Sequence, residues 1–450
     1  MQIQQHLMGK RLLRSEIPYS DDMLFEQIEL GYIGSENGVI KDKTGWRCVR
    51  CGNRKRRLFA KFPCAHCNDE CTYCRHCLML GKVTSCSKLF HWVGPEPLVT
   101  LTDNVLVWDG MLTKAQQRAA NRLVDAIGQN EELLIWAVTG AGKTEMLFLA
   151  IAKSLQRGER VLLATPRTDV VLELTPRLRA AFPTVKISSL YGGSPDRLLQ
   201  TQLVIATTHQ VMRFYQAFDF VIIDEIDAFP YSYDDSLSYA VSQAKKLTSS
   251  TAYLTATPTK SLEKAVKAQT LQAVKVTRRF HGHPLPVPRL KWCGNWRRQL
   301  SKGKIPSSLS HWLQQQIDCK KQAFLFVPSI KILSTITTIL TNSYSHVASV
   351  HANDPERKQK VEAFRKKQIS ILVTTTILER GVTIENLSVA VLGAEENIFT
   401  ESALVQIAGR AGRSPYYPDG DVVFFHDGKT KAIHEAIRHI KMMNEVDENG

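Results

Sequence analysis

The sequence predicts an α/β protein with two parallel-sheet lobes preceded by a small cysteine-rich module. Three observations carry this. Eight of the ten cysteines fall between Cys48 and Cys86. From about residue 130 onward, short apolar runs alternate with amphipathic stretches, the rhythm of parallel strands covered by helices. A proline-rich segment, His281-Gly282-His283-Pro284-Leu285-Pro286-Val287-Pro288, then interrupts that rhythm before it restarts, which suits a linker between two lobes.

In order, residues 1–44 form an N-terminal segment and 45–95 the cysteine module, with Gly94-Pro95-Glu96-Pro97 as its exit. Lobe one occupies 100–280, the linker 281–290 and lobe two 291–450. Lobe-one strands are expected at Leu133–Val138, Arg160–Thr165, Leu203–Thr207, Phe220–Asp224 and Ala252–Thr255. Those of lobe two are expected at Ala323–Val327, Val347–Val350, Ile369–Thr374, Ser388–Leu392 and Asp421–Phe425. Both apolar maxima, Leu133–Val138 and Met146–Ala152, are too short to cross a bilayer, and no signal peptide is legible. A cytoplasmic protein is expected, reaching the inner face of the membrane only through partners. Lysine plus arginine exceed aspartate plus glutamate by 58 to 43, a formal charge of +15 over 450 residues, which favours an acidic partner such as nucleic acid.

Leu133–Ala137 leads into Thr139-Gly140-Ala141-Gly142-Lys143-Thr144, and Glu145–Gln156 reads as a helix. Small residues at that turn let backbone N–H groups wrap phosphates at the positive end of the helix. Lys143 suits the β- and γ-phosphates of ATP and Thr144 the Mg²⁺ ion. An apolar strand ending in Asp224-Glu225 supplies two carboxylates, Asp224 for Mg²⁺ and Glu225 for the attacking water. Arg410 and Arg413, three apart, share a face if helical and can address one phosphate. Gln116 suits an adenine edge, with a helix start at Thr113 as the open alternative.

These blocks, with Asp224-Glu225-Ile226-Asp227, Thr255-Ala256-Thr257-Pro258 and Gln406-Ile407-Ala408-Gly409-Arg410-Ala411-Gly412-Arg413, resemble helicase superfamily two over about 110–430. The resemblance implies RecA-like lobes and a DNA- or RNA-stimulated ATPase. It assigns nucleotide contacts to Glu145, Gly381 and Thr383, coupling to Asp227, Thr255, Thr257 and Gln406, and strand contacts to Pro166, Arg167, Thr207, Thr208, Thr374 and Thr375. With a cysteine module placed first, the chain is similar to the ComFA family. That implies an ATP-driven single-stranded DNA translocase in the uptake of transforming DNA, working with membrane uptake machinery and other competence proteins. The alternatives are a replication-restart or RNA helicase, and a zinc-dependent binding module with an inactive ATPase.

The module offers Cys48, Cys51, Cys64, Cys67, Cys71, Cys74, Cys77 and Cys86. Repeated Cys-x2-Cys spacing points to Zn²⁺, in one site with spare thiolates or in two, with the pairing open. Arg54-Lys55-Arg56-Arg57 with Trp46, Phe59, Phe62 and Tyr73 suits either a single strand or a solvated face. Trp292, Trp296, Arg297 and Arg298 form a weaker cluster of the same kind, and Cys293 and Cys319 read as ordinary buried residues.

Overall fold

The structure, a computed structural model, describes residues 2–96, 104–379 and 384–445. By internal contacts the chain forms two compact units. One comprises Met1–Met111, Gln117–Ile135 and Thr144–Val274, the other Leu112–Gln116, Trp136–Lys143 and Lys275–Gly450. The division falls inside the phosphate-binding motif, between Lys143 and Thr144.

The N-terminal strands are β1 (Arg11–Leu13), β2 (Ile33–Asn37), β3 (Val39–Asp42), β4 (Gly45–Cys48), β5 (Phe59–Cys64), β6 (Asp69–Cys74) and β7 (Lys88–Trp92). Strand β7 pairs antiparallel with both β1 and β2, so chain lying before and after the cysteines closes into one small sheet. The cysteines themselves sit on and around two hairpins, β3–β4 and β5–β6. Cys48, Val49, Cys51, Cys74 and Cys77 share a core with Met212, Leu237 and Ala240, which attaches the module to the adjoining α/β layer.

That layer is a seven-stranded sheet built from β8 (Glu132–Ala137), β9 (Val161–Thr165), β10 (Ile187–Leu190), β11 (Leu203–Thr207), β12 (Phe218–Asp224), β13 (Lys245–Thr255) and β14 (Gln272–Val276). Its order is β10-β11-β9-β12-β13-β8-β14. Pairings among β9 to β13 are parallel, with Thr207 opposite Thr165, Ile223 opposite Ala164 and Asp224 opposite Leu254. Parallel strands in this register finish at one edge, and the loops leaving Thr165, Thr207, Asp224 and Thr255 emerge side by side. That edge is where open α/β sheets bind ligands.

The second sheet comprises β15 (Arg289–Trp292), β16 (Gln322–Phe326), β17 (Val347–Val350), β18 (Ile371–Thr374), β19 (Leu387–Leu392) and β20 (Val422–His426), in the order β15-β20-β19-β16-β18-β17. All its pairings are parallel. Trp296, Trp312, Leu325, Ile336, Val373 and Phe425 are among its core residues.

Three strands escaped the apolar-run criterion. In β10, Ser188 and Ser189 are buried and bonded to Thr201 and Thr175, so hydroxyls replace apolar contacts. β14 and β15 lie at sheet edges, where burial is partial and the hydrophobic pattern correspondingly weak. β15 starts directly after Pro288, leaving 283–288 without regular structure.

One carboxylate ties the N-terminal segment to both neighbours. Glu16 pairs with Arg50 of the cysteine module and, at 3.0 Å, with Arg213 after β11. Burial raises its pKa, but the Arg50 charge and the hydrogen bonds from Leu13, Arg50 and Arg213 outweigh that and hold it below the usual 4.5. Its stabilisation is present above the unfolded value and is lost as pH falls through the lower folded value. Glu16→Ala should cost about 3 kcal/mol by stranding buried guanidinium groups, measured as a lower denaturation midpoint of the N-terminal unit. The deficit should shrink as pH is lowered below 4.5.

Candidate functional site

The phosphate loop is shaped by two glycines in the left-handed region, Gly140 at φ 84° and Gly142 at φ 70°, where a side chain is strained. Gln116 supports it from below. Its Nε2 donates to Ala141 O at 2.8 Å, its Oε1 accepts from Thr113 N, and its own N–H bonds Thr113 Oγ1. This is a reciprocal capping box at the start of the helix Lys114–Ala126. Gln116 is buried with both ends of its amide engaged within the protein. The helix start at Thr113 is thereby observed, and Gln116 also braces the phosphate loop through Ala141 O.

The same contact unit brings the loop to the glutamine-arginine motif. Thr139 Oγ1 donates to Gln406 Oε1 at 3.0 Å, and both residues are buried. A Cβ at Gly409 would lie 2.6 Å from that of Thr139, so the approach requires glycine. Arg410 and Arg413 do not share a helix, because Glu401–Ala408 ends before them at Gly409. They occupy the turn that follows, where Arg410 Nε donates to Glu379 O at 2.7 Å and Arg413 Nε to Gly409 O at 3.2 Å. Gly381 and Thr383 lie outside the described residues.

Arg279 joins this group unanticipated. It is 1% exposed, donates to Gly412 O and stands against Gly140, while Phe280 N donates to Gly140 O at 3.0 Å. Burial, with the Arg413 charge adding to it, pushes its pKa down to about 9. The only sequence signal was Arg278-Arg279 just ahead of the proline-rich linker.

In the other unit, Thr144 is buried at the start of the helix Lys143–Gln156. Glu145, next in the chain, pairs with Arg177 of the helix Thr168–Ala181. Asp224 and Glu225 are half-buried at the end of β12, with Glu225 N donating to Asp224 Oδ1 at 2.9 Å. Glu225 adopts φ 57°, a conformation costing a non-glycine residue on the order of 1–3 kcal/mol and concentrated at functional sites. Two residues on, Asp227 accepts from the hydroxyls of both Thr255 and Thr257, each at 2.7 Å. Thr257 N donates to Thr255 Oγ1 in turn. The carboxylate loop and the loop after β13 are thus fastened together.

The strand-facing assignments divide by exposure. Thr208 and Thr374 are fully buried, and the Thr374 hydroxyl donates to Val350 O, so their side chains do not offer surface to a strand. Pro166 and Thr207 are also buried, whereas Arg167 and Thr375 reach solvent in part. Trp296 is buried and bonds Glu395, and Arg297 pairs with Glu396, so of that cluster Trp292 and Arg298 remain open to solvent. Lys82 covers Phe62 and Tyr73. Cys293 is buried as expected, but Cys319, capping the end of the helix Ser307–Asp318, is exposed.

The module's eight cysteines resolve into two interleaved groups, Cys48, Cys51, Cys74, Cys77 and Cys64, Cys67, Cys71, Cys86. Within each, all sulfurs lie within 4.8 Å of one another. Cys48 to Cys77 and Cys51 to Cys74 are both 3.7 Å apart, Cys64 to Cys86 is 3.6 Å and Cys67 to Cys71 is 3.3 Å. A tetrahedral ion with ~2.3 Å metal–sulfur bonds sets sulfurs roughly 3.8 Å apart, so each four-thiolate set fits such an ion. The first group is wholly buried, while the second includes exposed Cys67.

Comparison with known proteins agrees with this layout. Residues 1–91 match the family model described as the competence protein ComFA N-terminal domain, 113–265 that of DEAD/DEAH box helicases, and 306–415 the helicase conserved C-terminal domain. Competence protein ComFA of Bacillus subtilis is 49% identical over 445 residues, covering 99% of this chain and 96% of that protein. The chain belongs to the ComFA family. Competence protein ComFA of Streptococcus pneumoniae is 37% identical over 433 residues, covering 93% and 99% of the two chains. A solved structure of S. cerevisiae Dbp5 bound to RNA and ADP BeF3 shares the fold, with TM-score 0.54, 15% identity and coverage of 74% of this chain and 92% of that one. This ComFA-family chain therefore carries the two domains of a superfamily-two helicase ATPase.

Elemental analysis of purified protein should find two metal ions per chain. Cys67→Ser should remove one and leave the fold intact. Cys48→Ser should also remove one but lower stability sharply, since its group lies within the core that joins the module to helix Asp235–Ala244.

Proposed function

We propose that this chain is an ATP-driven translocase on single-stranded DNA that powers uptake of transforming DNA, with its two cysteine groups holding Zn²⁺. The observation that carries the reading is Asp227 gripping Thr255 and Thr257 two residues beyond Glu225. A change at the hydrolytic carboxylates is thereby conveyed to a neighbouring loop on the same sheet edge, as work on a strand requires. Family membership and the helicase domains support the same reading. Among the described residues no helix is long and apolar enough to cross a membrane, so attachment to membrane uptake machinery would run through other competence proteins.

In this mechanism Lys143 and the N–H groups of Gly140–Thr144 bind the phosphates. Thr144 and Asp224 would hold Mg²⁺, which supplies charge neutralisation on the phosphate oxygens. Glu225 orients and deprotonates the attacking water. Arg410 and Arg413 stabilise charge on the transferring phosphoryl group, and Gln406, bonded to Thr139, relays the state of the phosphate loop to their turn. With the Arg279 guanidinium bonded at Gly412 O and feeling the charge of Arg413, an anionic phosphate also relieves mutual repulsion. Alternating grip and release at the strand-facing loops then yields net movement.

Single-stranded DNA should stimulate ATP hydrolysis more than duplex DNA or RNA does. Preferential stimulation by RNA would favour an RNA helicase, and no hydrolysis at all an inactive ATPase. Glu225→Gln should abolish turnover while retaining nucleotide, and Lys143→Ala should lose both. Arg413→Ala should lower kcat by about 100-fold or more with little change in ATP affinity. A large affinity loss at unchanged kcat would contradict its role at the transferring phosphate.

A further inference from the structure

We propose that the groove between the cysteine module and the first sheet is a base-stacking channel for single-stranded DNA, with Phe229 and Tyr233 as the stacking rings and Arg54, Lys55 and Arg57 as the phosphate contacts. The proposal rests on the translocase reading and adds a defined path to it. The groove encloses about 720 Å³, within the ~300–1,000 Å³ span of ligand sites. All of its walls belong to one compact unit.

Phe229 and Tyr233 are each 70% exposed. Their ring centroids stand 6.1 Å apart with planes inclined at 52°, and both residues line the groove. Scattered exposed apolar residues are ordinary on a protein surface, but two adjacent rings lining a cleft opposite a cationic run are the combination that single-strand sites use. The opposite wall carries Arg54, Lys55 and Arg57, all exposed. Arg54 also meets Asp42, and Lys55 lies 4.0 Å from Asp235, whose side chain is 95% exposed. Such solvated pairs are worth little and yield readily to phosphate.

The second acid, Asp234, is committed elsewhere. Its Oδ2 meets His76 Nε2 at 3.0 Å and its Oδ1 accepts from Ser236. With the Tyr239 hydroxyl donating to Val49 O, these bonds clamp the module to the helix Asp235–Ala244 and hold the two walls at a set separation. The groove is also tied through the chain to the catalytic edge. His209, which lines it, follows Thr207-Thr208 at the end of β11, and Phe229 lies two residues beyond Asp227. A strand gripped here contacts the loop that starts at the hydrolytic carboxylates, which gives the basic run a function and the module a reason to precede lobe one.

The test uses full-length protein and a fluorescein-labelled oligothymidine, read by anisotropy and by DNA-stimulated ATPase. Phe229→Ala and Tyr233→Ala should each weaken DNA binding about tenfold or more, and the double variant further. Phe229→Tyr and Tyr233→Phe should retain binding. Basal ATPase and melting temperature should be unchanged, because neither ring is part of a core. Arg57→Ala should reduce the slope of log affinity against log salt by about 0.7. A double alanine variant that binds and is stimulated like wild type would overturn the proposal while leaving the translocase reading intact. Wild-type protein that fails to bind the oligonucleotide would overturn both.

Discussion

The parallel register of β9, β11, β12 and β13 is the constraint on which the rest depends. With Thr207 opposite Thr165 and Asp224 opposite Leu254, the loops leaving β9, β11, β12 and β13 share one edge. A one-residue slip would turn alternate side chains to the other face and send Asp224 into the core. Strands buried on both faces resist that slip, since Val221, Ile222, Leu162 and Leu163 would have to exchange sides together. Asp227 adds a side-chain tie across the same edge. Its two threonine bonds make the β12 and β13 loops a single mechanical element, and Glu225, held at positive φ beside it, is poised and not relaxed.

The cysteine module is joined to the first sheet by burial. Its first cysteine group lies within an apolar core shared with Leu237 and Ala240, while its second stands at the rim with Cys67 exposed. Held as thiolates in that core, the buried group would require a compensating ion, which would give it a structural part. Glu16, between Arg50 and Arg213, repeats the theme by fastening N-terminal segment, module and sheet through one carboxylate.

Most of the nucleotide machinery was legible because its chemistry is local. The phosphate loop and Asp224-Glu225 each occupy consecutive residues bounded by a strand. Features that depend on tertiary contact were not. Nothing in the spacing of Gln116 distinguishes a nucleobase contact from a bond to Ala141 O, and nothing in Glu145 announces Arg177. The helix expected under Arg410 and Arg413 failed because Gly409 and Gly412 break it, a signal present in the sequence but outweighed by the motif's periodicity. Arg279 was invisible, since its role comes from packing against Gly140 and Gly412, far apart in the chain. The two cysteine groups interleave along the sequence, Cys48 and Cys51 with Cys74 and Cys77, and Cys64, Cys67 and Cys71 with Cys86, so only the two hairpins could decide them.

The central claim is that hydrolysis at this edge moves the protein along a single strand. The most direct measurement is displacement of streptavidin from the biotinylated end of a single-stranded oligonucleotide, followed in real time with ATP. The account predicts ATP-dependent displacement from one end, faster than spontaneous release, by wild-type protein and none by Asp227→Ala, even if that variant still hydrolyses ATP slowly. DNA-stimulated hydrolysis by wild type with no displacement from either end would contradict it, leaving an ATPase that senses DNA but does not travel on it.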